Sequence, residues 1–289
     1  MDIRAIVAGL AFALMWSSAF TSARIIVAEA PPMLSLSLRF LISGGLGILI
    51  ALARGQSWRL RRAQWVAVVV FGVCQNAAYL GLNFIAMQTI EASLASIVAS
   101  TMPLLVAFAG LVFLGDRLSP LGVAGLIAGV AGVVVIMGSR FGGGVDLFGL
   151  GLCVIGVVSL TVATLMVRGA SGGGNLLMVV GLQMIVGALA LAVPGFALEV
   201  WEVTWTPLLT AAFAYTTLVP GLAATVLWFW LVGRIGATRA ATFHFLNPVF
   251  GVAIAAALLG ESLGLWDVIG VAIITAGILA VQVARQARQ

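Results

Sequence analysis

The sequence predicts an all-α polytopic membrane protein of ten transmembrane helices in two inverted five-helix repeats. Three observations carry this. Of 289 residues, 63% are hydrophobic and only 8% are charged, against about 25% charged in a soluble domain. No soluble core of this size hides so much apolar surface, so the solvent is lipid. The apolar residues fall in ten runs of roughly 20 residues, the length a helix needs to cross a bilayer with its backbone satisfied internally. Finally, one stretch occurs twice.

The repeat spans Ala92 to Ile136 and recurs 145 positions later. Ala92, Ala95 and Pro103 fall on Ala237, Ala240 and Pro248. Leu114-Gly115-Asp116 falls on Leu259-Gly260-Glu261, and Leu118, Val123, Gly125, Ala131 and Gly132 on Leu263, Val268, Gly270, Ala276 and Gly277. A fixed offset of half the chain marks two copies of one unit. The expected domains are a first repeat over 1–138, a linker over 139–146 and a second repeat over 147–289.

In chain order the expected spans are 3–27, 33–53, 64–86, 92–114, 120–138, 147–167, 175–197, 207–232, 238–259 and 264–284. The first begins Met1-Asp2-Ile3-Arg4 but lacks a small-residue cleavage site, and Trp16-Ser17-Ser18 with Arg24 spoil a signal-peptide core, so it is a span. Turn chemistry or charge separates spans at Glu29-Ala30-Pro31-Pro32, Arg54 to Arg62, Gly142 to Gly144 and Ser171 to Gly174. With both termini cytoplasmic, eleven arginines fall inside (Arg4, Arg54, Arg59, Arg61, Arg62, Arg117, Arg168, Arg234, Arg239, Arg285, Arg288), while Arg24, Arg39 and Arg140 lie toward the outside. That is the positive-inside pattern. Because five helices is an odd number, the Asp116 turn lies inside and the Glu261 turn outside, which inverts the second repeat. Inverted repeats place substrate sites near the midplane.

Composition also excludes functions. The net charge of +5 comes from arginines that are topology signals, so no nucleic-acid partner is expected. Cys74 and Cys153 sit in apolar runs as small core thiols, not a disulfide. One histidine and no cluster of cysteines or carboxylates leave no metal site and no cofactor. Paired carboxylates at helical spacing, HExxH and an assembled Ser-His-Asp set are all missing, which speaks against an embedded enzyme.

Leu14-Met15-Trp16-Ser17-Ser18-Ala19-Phe20, Leu38-Arg39-Phe40 and the doubled Pro…Leu-Gly-acid…Gly block carry a family likeness over the whole chain. The sequence resembles the drug/metabolite transporter superfamily in its ten-helix EamA-type branch, and within it the bacterial amino-acid exporters. Ser17 stands where that family usually has glycine. The resemblance implies a multi-pass protein of the bacterial inner membrane that exports amino acids or other small metabolites. It also implies a central cavity lined by helices 1, 3, 4, 6, 8 and 9.

Polar side chains in a membrane are expensive and face a cavity or a partner. Asn76, Tyr79 and Asn83 share one face at α-helical spacing. They either line a substrate path or form a polar seam. Ser93, Ser96 and Ser100 repeat the spacing, with back-bonding to the i−4 carbonyl as the plain alternative. Trp16, Ser17, Thr21 and Arg24 form a stripe in the first span, where Arg24 snorkels outward. Arg39 has two candidate partners, Glu29 and a substrate carboxylate. His244 lies four residues before Pro248, which leaves its carbonyl without a helical donor. The candidate substrate residues are Trp16, Ser17, Asn76, Tyr79, Asn83, Ser96, Ser100 and His244. Pro103, Pro220 and Pro248 are the expected hinges. Trp228 and Trp230 are expected in the inner aromatic belt. Gly125-x-x-x-Gly129 with Gly132 serves close packing inside the chain or in a dimer, so the expected state is a monomer or weak homodimer.

The function expected is export by alternating access. The nine carboxylates all fall at helix ends or in loops, so an uncoupled facilitator is expected. Broad efflux of hydrophobic compounds is the alternative transport function, and an embedded enzyme or a non-transporting scaffold the alternative outside it.

Overall fold

The computed structural model describes residues 3–113, 115–141, 144–166, 175–236 and 240–286. Leu114, the breaks at 142–143 and 171–174, Ala237, Arg168, Arg239 and Arg288 lie outside the described residues. Among the described residues, ten helices are long and apolar enough to span a membrane. They are α1 (Ile3–Glu29), α2 (Pro32–Ala53), α3 (Arg62–Ala86), α4 (Ala92–Phe113), α5 (Pro120–Ser139), α6 (Leu147–Met166), α7 (Leu176–Leu198), α8 (Pro207–Ile235), α9 (Thr242–Leu259) and α10 (Leu265–Ala284). Their outward faces are apolar, with Leu49, Val66, Ile127, Val134 and Phe196 exposed, as lipid requires. The chain is an all-α multi-pass membrane protein.

Four helices are interrupted, three of them at prolines. Proline lacks the N–H of a helical bond and crowds the preceding turn. In α4 the helix stops at Ser100 and restarts at Met102, beside Pro103, with the Thr101 N–H turned to Val98 O at 3.1 Å. In α8, Pro220 lies within a π-helical segment, Thr217–Ala223. Helix α9 opens with a tight 3₁₀ turn, Thr242–Leu246, before Asn247-Pro248 starts the α-helix. The His244 carbonyl is therefore not free: the Asn247 N–H tightens onto it. That corrects the expectation of an orphan acceptor, because a 3₁₀ bond reaches three residues rather than four.

The fourth interruption carries no proline. Phe71–Leu80 in α3 is a π-helix, whose wider i→i+5 turns break the α-helical angular spacing used for Asn76, Tyr79 and Asn83. The segment packs closely on α7. A Cβ on Gly72 would lie 2.6 Å from Val186 on α7, and one on Gly187 would lie 2.4 Å from the Asn76 Cβ.

The chain forms two compact units, and each draws on both sequence halves. The first comprises Met1–Thr21, Thr89–Leu150 and Ala223–Gln289. Its interior is the α5–α10 contact and an apolar cluster of Ile97, Leu104, Ile136, Val252, Ile274 and Ile278. At that contact a Cβ on Gly125 would stand 2.7 Å from the Gly277 carbonyl, and one on Gly132 2.8 Å from the Gly270 carbonyl. The glycines thus let two backbones touch, which in lipid replaces the hydrophobic effect as the cause of association. The α4 start is held by Glu261, which follows α9. Its two oxygens accept the N–H groups of Ala92 (2.8 Å) and Ser93 (3.0 Å).

The second unit comprises Ser22–Gln88 and Gly151–Leu222. Here α2 and α7 run antiparallel, and each receives an acceptor at its start from beyond the end of the other. Glu199, after α7, accepts Met33 N–H (2.8 Å) and Leu34 N–H (2.9 Å). Gln56, after α2, accepts Met178 N–H at 3.0 Å. Met33 and Met178 are 145 apart, the sequence offset again. The reciprocal bonds are the inverted repeat written in geometry. They also satisfy helix-start donors that have no intrahelical partner. Between the ends, Ser37 Oγ donates to Ala188 O at 2.8 Å, and Gly44 and Gly181 bring the backbones together.

Candidate functional site

In the first unit, Trp16, Ser17 and His244 come together. Phe12 and Trp16 are one helical turn apart on α1 and flank the imidazole edge-on. Their ring centroids lie 5.3 and 6.2 Å from that of His244, at interplanar angles of 89° and 85°. Trp228 from α8 completes the group, 5.2 Å from His244 and 4.9 Å from Phe12. Trp228 is thus not a belt residue. Long-range contacts with Phe12 and His244 place it here, and nothing local in the sequence reports them. Trp230 does stay outside, 43% exposed, with the Arg234 guanidinium 5.3 Å from its ring.

A hydrogen-bonded chain runs through this cluster. Ser17 Oγ lies 3.3 Å from Asn247 O and 3.5 Å from Asn247 Oδ1, and Asn247 Nδ2 lies 3.0 Å from His244 Nδ1. An amide nitrogen has only donor hydrogens, so Nδ1 accepts and the imidazole proton sits on Nε2. The result is one N–H donor amid aromatic faces. Such a group holds a flat apolar moiety while bonding an acceptor attached to it. Ser17, in the position where the resemblance leads one to expect glycine, is what anchors Asn247.

Ser96 and Ser100 sit elsewhere in the same unit. Ser100 Oγ donates to Ser96 O at 2.6 Å, the back-bonding alternative. Ser96 Oγ is buried against α9, where a Cβ on Gly251 would collide with it.

The three α3 residues belong to the second unit. Asn76 Nδ2 donates to Gln183 O at 3.0 Å, tying α3 to α7. Asn83 Nδ2 donates to Tyr79 O at 2.7 Å, and Asn83 Oδ1 accepts from Cys153 Sγ at 3.3 Å. Two of the three side chains are therefore engaged in holding helices, and Tyr79 is buried beside them. Arg24, expected to snorkel, instead donates to the Met87 carbonyl at the end of α3. Arg39 is buried in α2, with the Phe40 ring 5.2 Å from its guanidinium carbon. Among the described residues no group of three or more His, Cys, Asp and Glu side chains is placed to hold a metal. Both cysteines are free.

Carboxylates mark helix starts. Besides Glu199 and Glu261, Asp267 accepts the Gly264 N–H at 3.0 Å. Asp146 accepts from the Thr89 hydroxyl and from the Phe148 and Gly149 N–H groups. The Thr89 hydrogen bond first, then that of Gly149, holds its carboxyl below the ordinary carboxylate range.

Comparison with known proteins agrees with this architecture. The chain is 29% identical over 278 residues to the uncharacterized transporter YvbV of Bacillus subtilis, covering 96% of this chain and 90% of that protein. It is 36% identical over 135 residues to the aromatic amino acid exporter YddG of Ancylobacter novellus, covering 47% of this chain and 46% of that protein. The uncharacterized inner membrane transporter YedA of Escherichia coli K12 is 27% identical over 277 residues, 91% of this chain and 87% of that protein. A solved crystal structure with 22% identity superposes with a TM-score of 0.66 over 99% of this chain and 100% of its own, which shows the shared fold. The profile of the EamA-like transporter family matches twice, over residues 3–138 and 147–282, so the chain belongs to the EamA-like transporter family.

Proposed function

We propose that this protein exports amino acids or closely related metabolites across the bacterial inner membrane by alternating access, with aromatic amino acids first among them. The observation that carries the reading is the Ser17–Asn247–His244 chain within the Phe12, Trp16 and Trp228 rings. One fixed N–H donor among aromatic faces suits a flat side chain. The Ancylobacter relative, named an aromatic amino acid exporter, supports the same class. In this reading Trp16, Ser17 and His244 contact substrate. Asn76 and Asn83 hold α3 to its neighbours in the second unit, and Ser96 and Ser100 shape α4 in the first. The interruptions at Pro103, Pro220 and Pro248 are the bending points.

The proposed transport is uncoupled. Proton-driven carriers keep a titratable relay deep in the membrane. Here Asp146, Glu199, Glu261 and Asp267 are committed to helix starts, which supports movement down the substrate's own gradient. Both termini are proposed to be cytoplasmic. A cysteine at Ser57 should then label from the inside and one at Glu202 from the outside.

The test is flux into proteoliposomes with clamped pH and voltage, using a panel of amino acids and hydrophobic dyes. Saturable, non-concentrative flux of aromatic amino acids is expected. Flux of dyes alone would replace this reading with broad efflux. Concentrative uptake driven by a proton gradient and lost in His244→Ala would make the carrier proton-coupled.

A further inference from the structure

Arg39 is the eighth residue of α2, about 10 Å along the helix at 1.5 Å per residue, well inside a hydrocarbon core about 30 Å thick. It is 6% exposed, and its Nε is buried without a hydrogen-bond partner. Among the described residues it has no ion pair: Glu29 does not meet it, and both Glu199 oxygens are taken by the α2 start. The guanidinium leans over Phe40, a contact that offsets only part of a full charge. A buried cation without a counter-charge is costly.

The guanidinium lies against the backbone of α8. Gly221 lies in the π-helical segment of α8, next to Pro220. A Cβ on Gly221 would lie 3.6 Å from Arg39 Nη2 and 3.3 Å from Ser43 Oγ. A guanidinium and a hydroxyl therefore converge on α8 at Gly221, where the Thr216 carbonyl is also close and no side chain of residue 221 stands between them. Ser43 is held there by a bond to Thr217 O at 3.3 Å. The grouping has a cation, a hydroxyl and no anion.

We propose that Arg39 is a carboxylate-recognition residue for the transported substrates, and that these are small molecules bearing a free carboxylate. The planar fork of a guanidinium matches the two oxygens of a carboxylate. A halide gains nothing from that geometry. Burial within the chain excludes a lipid headgroup. On binding, the Ser43 hydroxyl turns its single proton from Thr217 O to the nearer carboxylate oxygen. This rests on the transport reading above and narrows it to one chemical class.

The test is thermal unfolding of the purified full-length chain in micelles, titrated with L-phenylalanine, L-leucine, 3-phenylpropanoate, L-phenylalaninamide and sodium chloride. Wild type, Arg39→Lys and Arg39→Gln are compared. Saturable stabilisation by 3-phenylpropanoate and at least one amino acid, and none by the amide, is expected. Arg39→Lys keeps the charge but loses the fork, so binding should weaken about tenfold; Arg39→Gln should abolish it. Equal stabilisation by amide and carboxylate overturns the proposal, as does no carboxylate response in the wild type. So does a wild-type response in Arg39→Lys, which covers the case where Arg39→Gln does not fold. A shift produced by chloride alone, with carboxylates adding nothing, identifies a resident halide and also overturns it. Arg39-dependent binding without amino-acid flux in liposomes keeps the carboxylate site and removes the export reading. Flux unaltered by Arg39→Lys does the reverse.

Discussion

Asn247 holds His244 by its Nδ1 atom, 3.0 Å from the amide nitrogen, and thereby decides which imidazole nitrogen keeps the proton. His244 is the single histidine of the chain, so its ¹⁵N spectrum is unambiguous. The wild type should show the Nε2–H form. Asn247→Asp replaces the donor with an acceptor and should move the proton to Nδ1. Aromatic amino-acid flux should then fall about tenfold, the equivalent of about 1.4 kcal/mol and within the range for one buried hydrogen bond. An unchanged nitrogen spectrum would remove Asn247 from this role.

Close glycine packing makes a sharper stability prediction. A Cβ on Gly277 would stand 2.6 Å from Gly125 O and 2.7 Å from Gly129 N, both backbone atoms that cannot rotate away. Gly277→Ala should cost about 1–3 kcal/mol through forced separation of α5 and α10. Gly151 has nothing within 4 Å of the same position. Gly151→Ala should be neutral or slightly stabilising, since alanine is the better helix former. Reversible unfolding in mixed micelles compares the two, and equal effects would contradict the packing argument.

The glutamates at helix starts should behave as caps. Glu261→Ala leaves the Ala92 and Ser93 N–H groups without their acceptors, for an expected loss of about 1–2 kcal/mol. Glu261→Gln keeps one acceptor oxygen and should cost less. The same order is expected for Glu199, read as unfolding midpoints.

Asp146 gives an acid-side signature. Its carboxyl is held below the ordinary range by the Thr89 hydroxyl and then by the Gly149 N–H. A carboxyl whose folded pKa is depressed stabilises the fold above its unfolded pKa and loses that contribution as pH falls through the folded one. Stability should therefore decline below about pH 4, the unfolded aspartate value. Thr89→Val should shift the folded titration upward and shrink this acid-side decline. A stability–pH curve unaltered by Thr89→Val would remove the hydroxyl as the cause.

The ten helices were legible because a membrane leaves few options: each run of about 20 apolar residues has one way to satisfy its backbone. Pro103, Pro220 and Pro248 were legible as breaks for a similarly local reason, the missing N–H. The π-helix over Phe71–Leu80 was not: no proline marks it, and its close contacts, Gly72 on Val186 and Asn76 on Gly187, are with α7. Trp228 and Arg24 were misplaced for the same cause: Phe12 and the Met87 carbonyl are their partners, and neither is near in sequence. Phe12 itself offered a signal. It lies four residues before Trp16, on one helical face, and that spacing identifies an aromatic stripe. Spacing arguments failed where they assumed 3.6 residues per turn through Asn76 and Tyr79.

The α5–α10 contact bears on how such a chain arises. The offset of 145 carries Gly125 onto Gly270 and Gly132 onto Gly277. The packing joins Gly125 to Gly277 and Gly132 to Gly270. Gly125 packs on the copy of Gly132, and Gly132 on the copy of Gly125, so the surface is self-complementary in the manner of a two-fold homodimer. An ancestral half-length polypeptide, inserted in both orientations, would have met itself through this same ridge. Gene fusion then required a connecting segment and no new interface, and later divergence was free to proceed elsewhere. Gln56 and Glu199, which occupy reciprocal places with different chemistry, record that divergence.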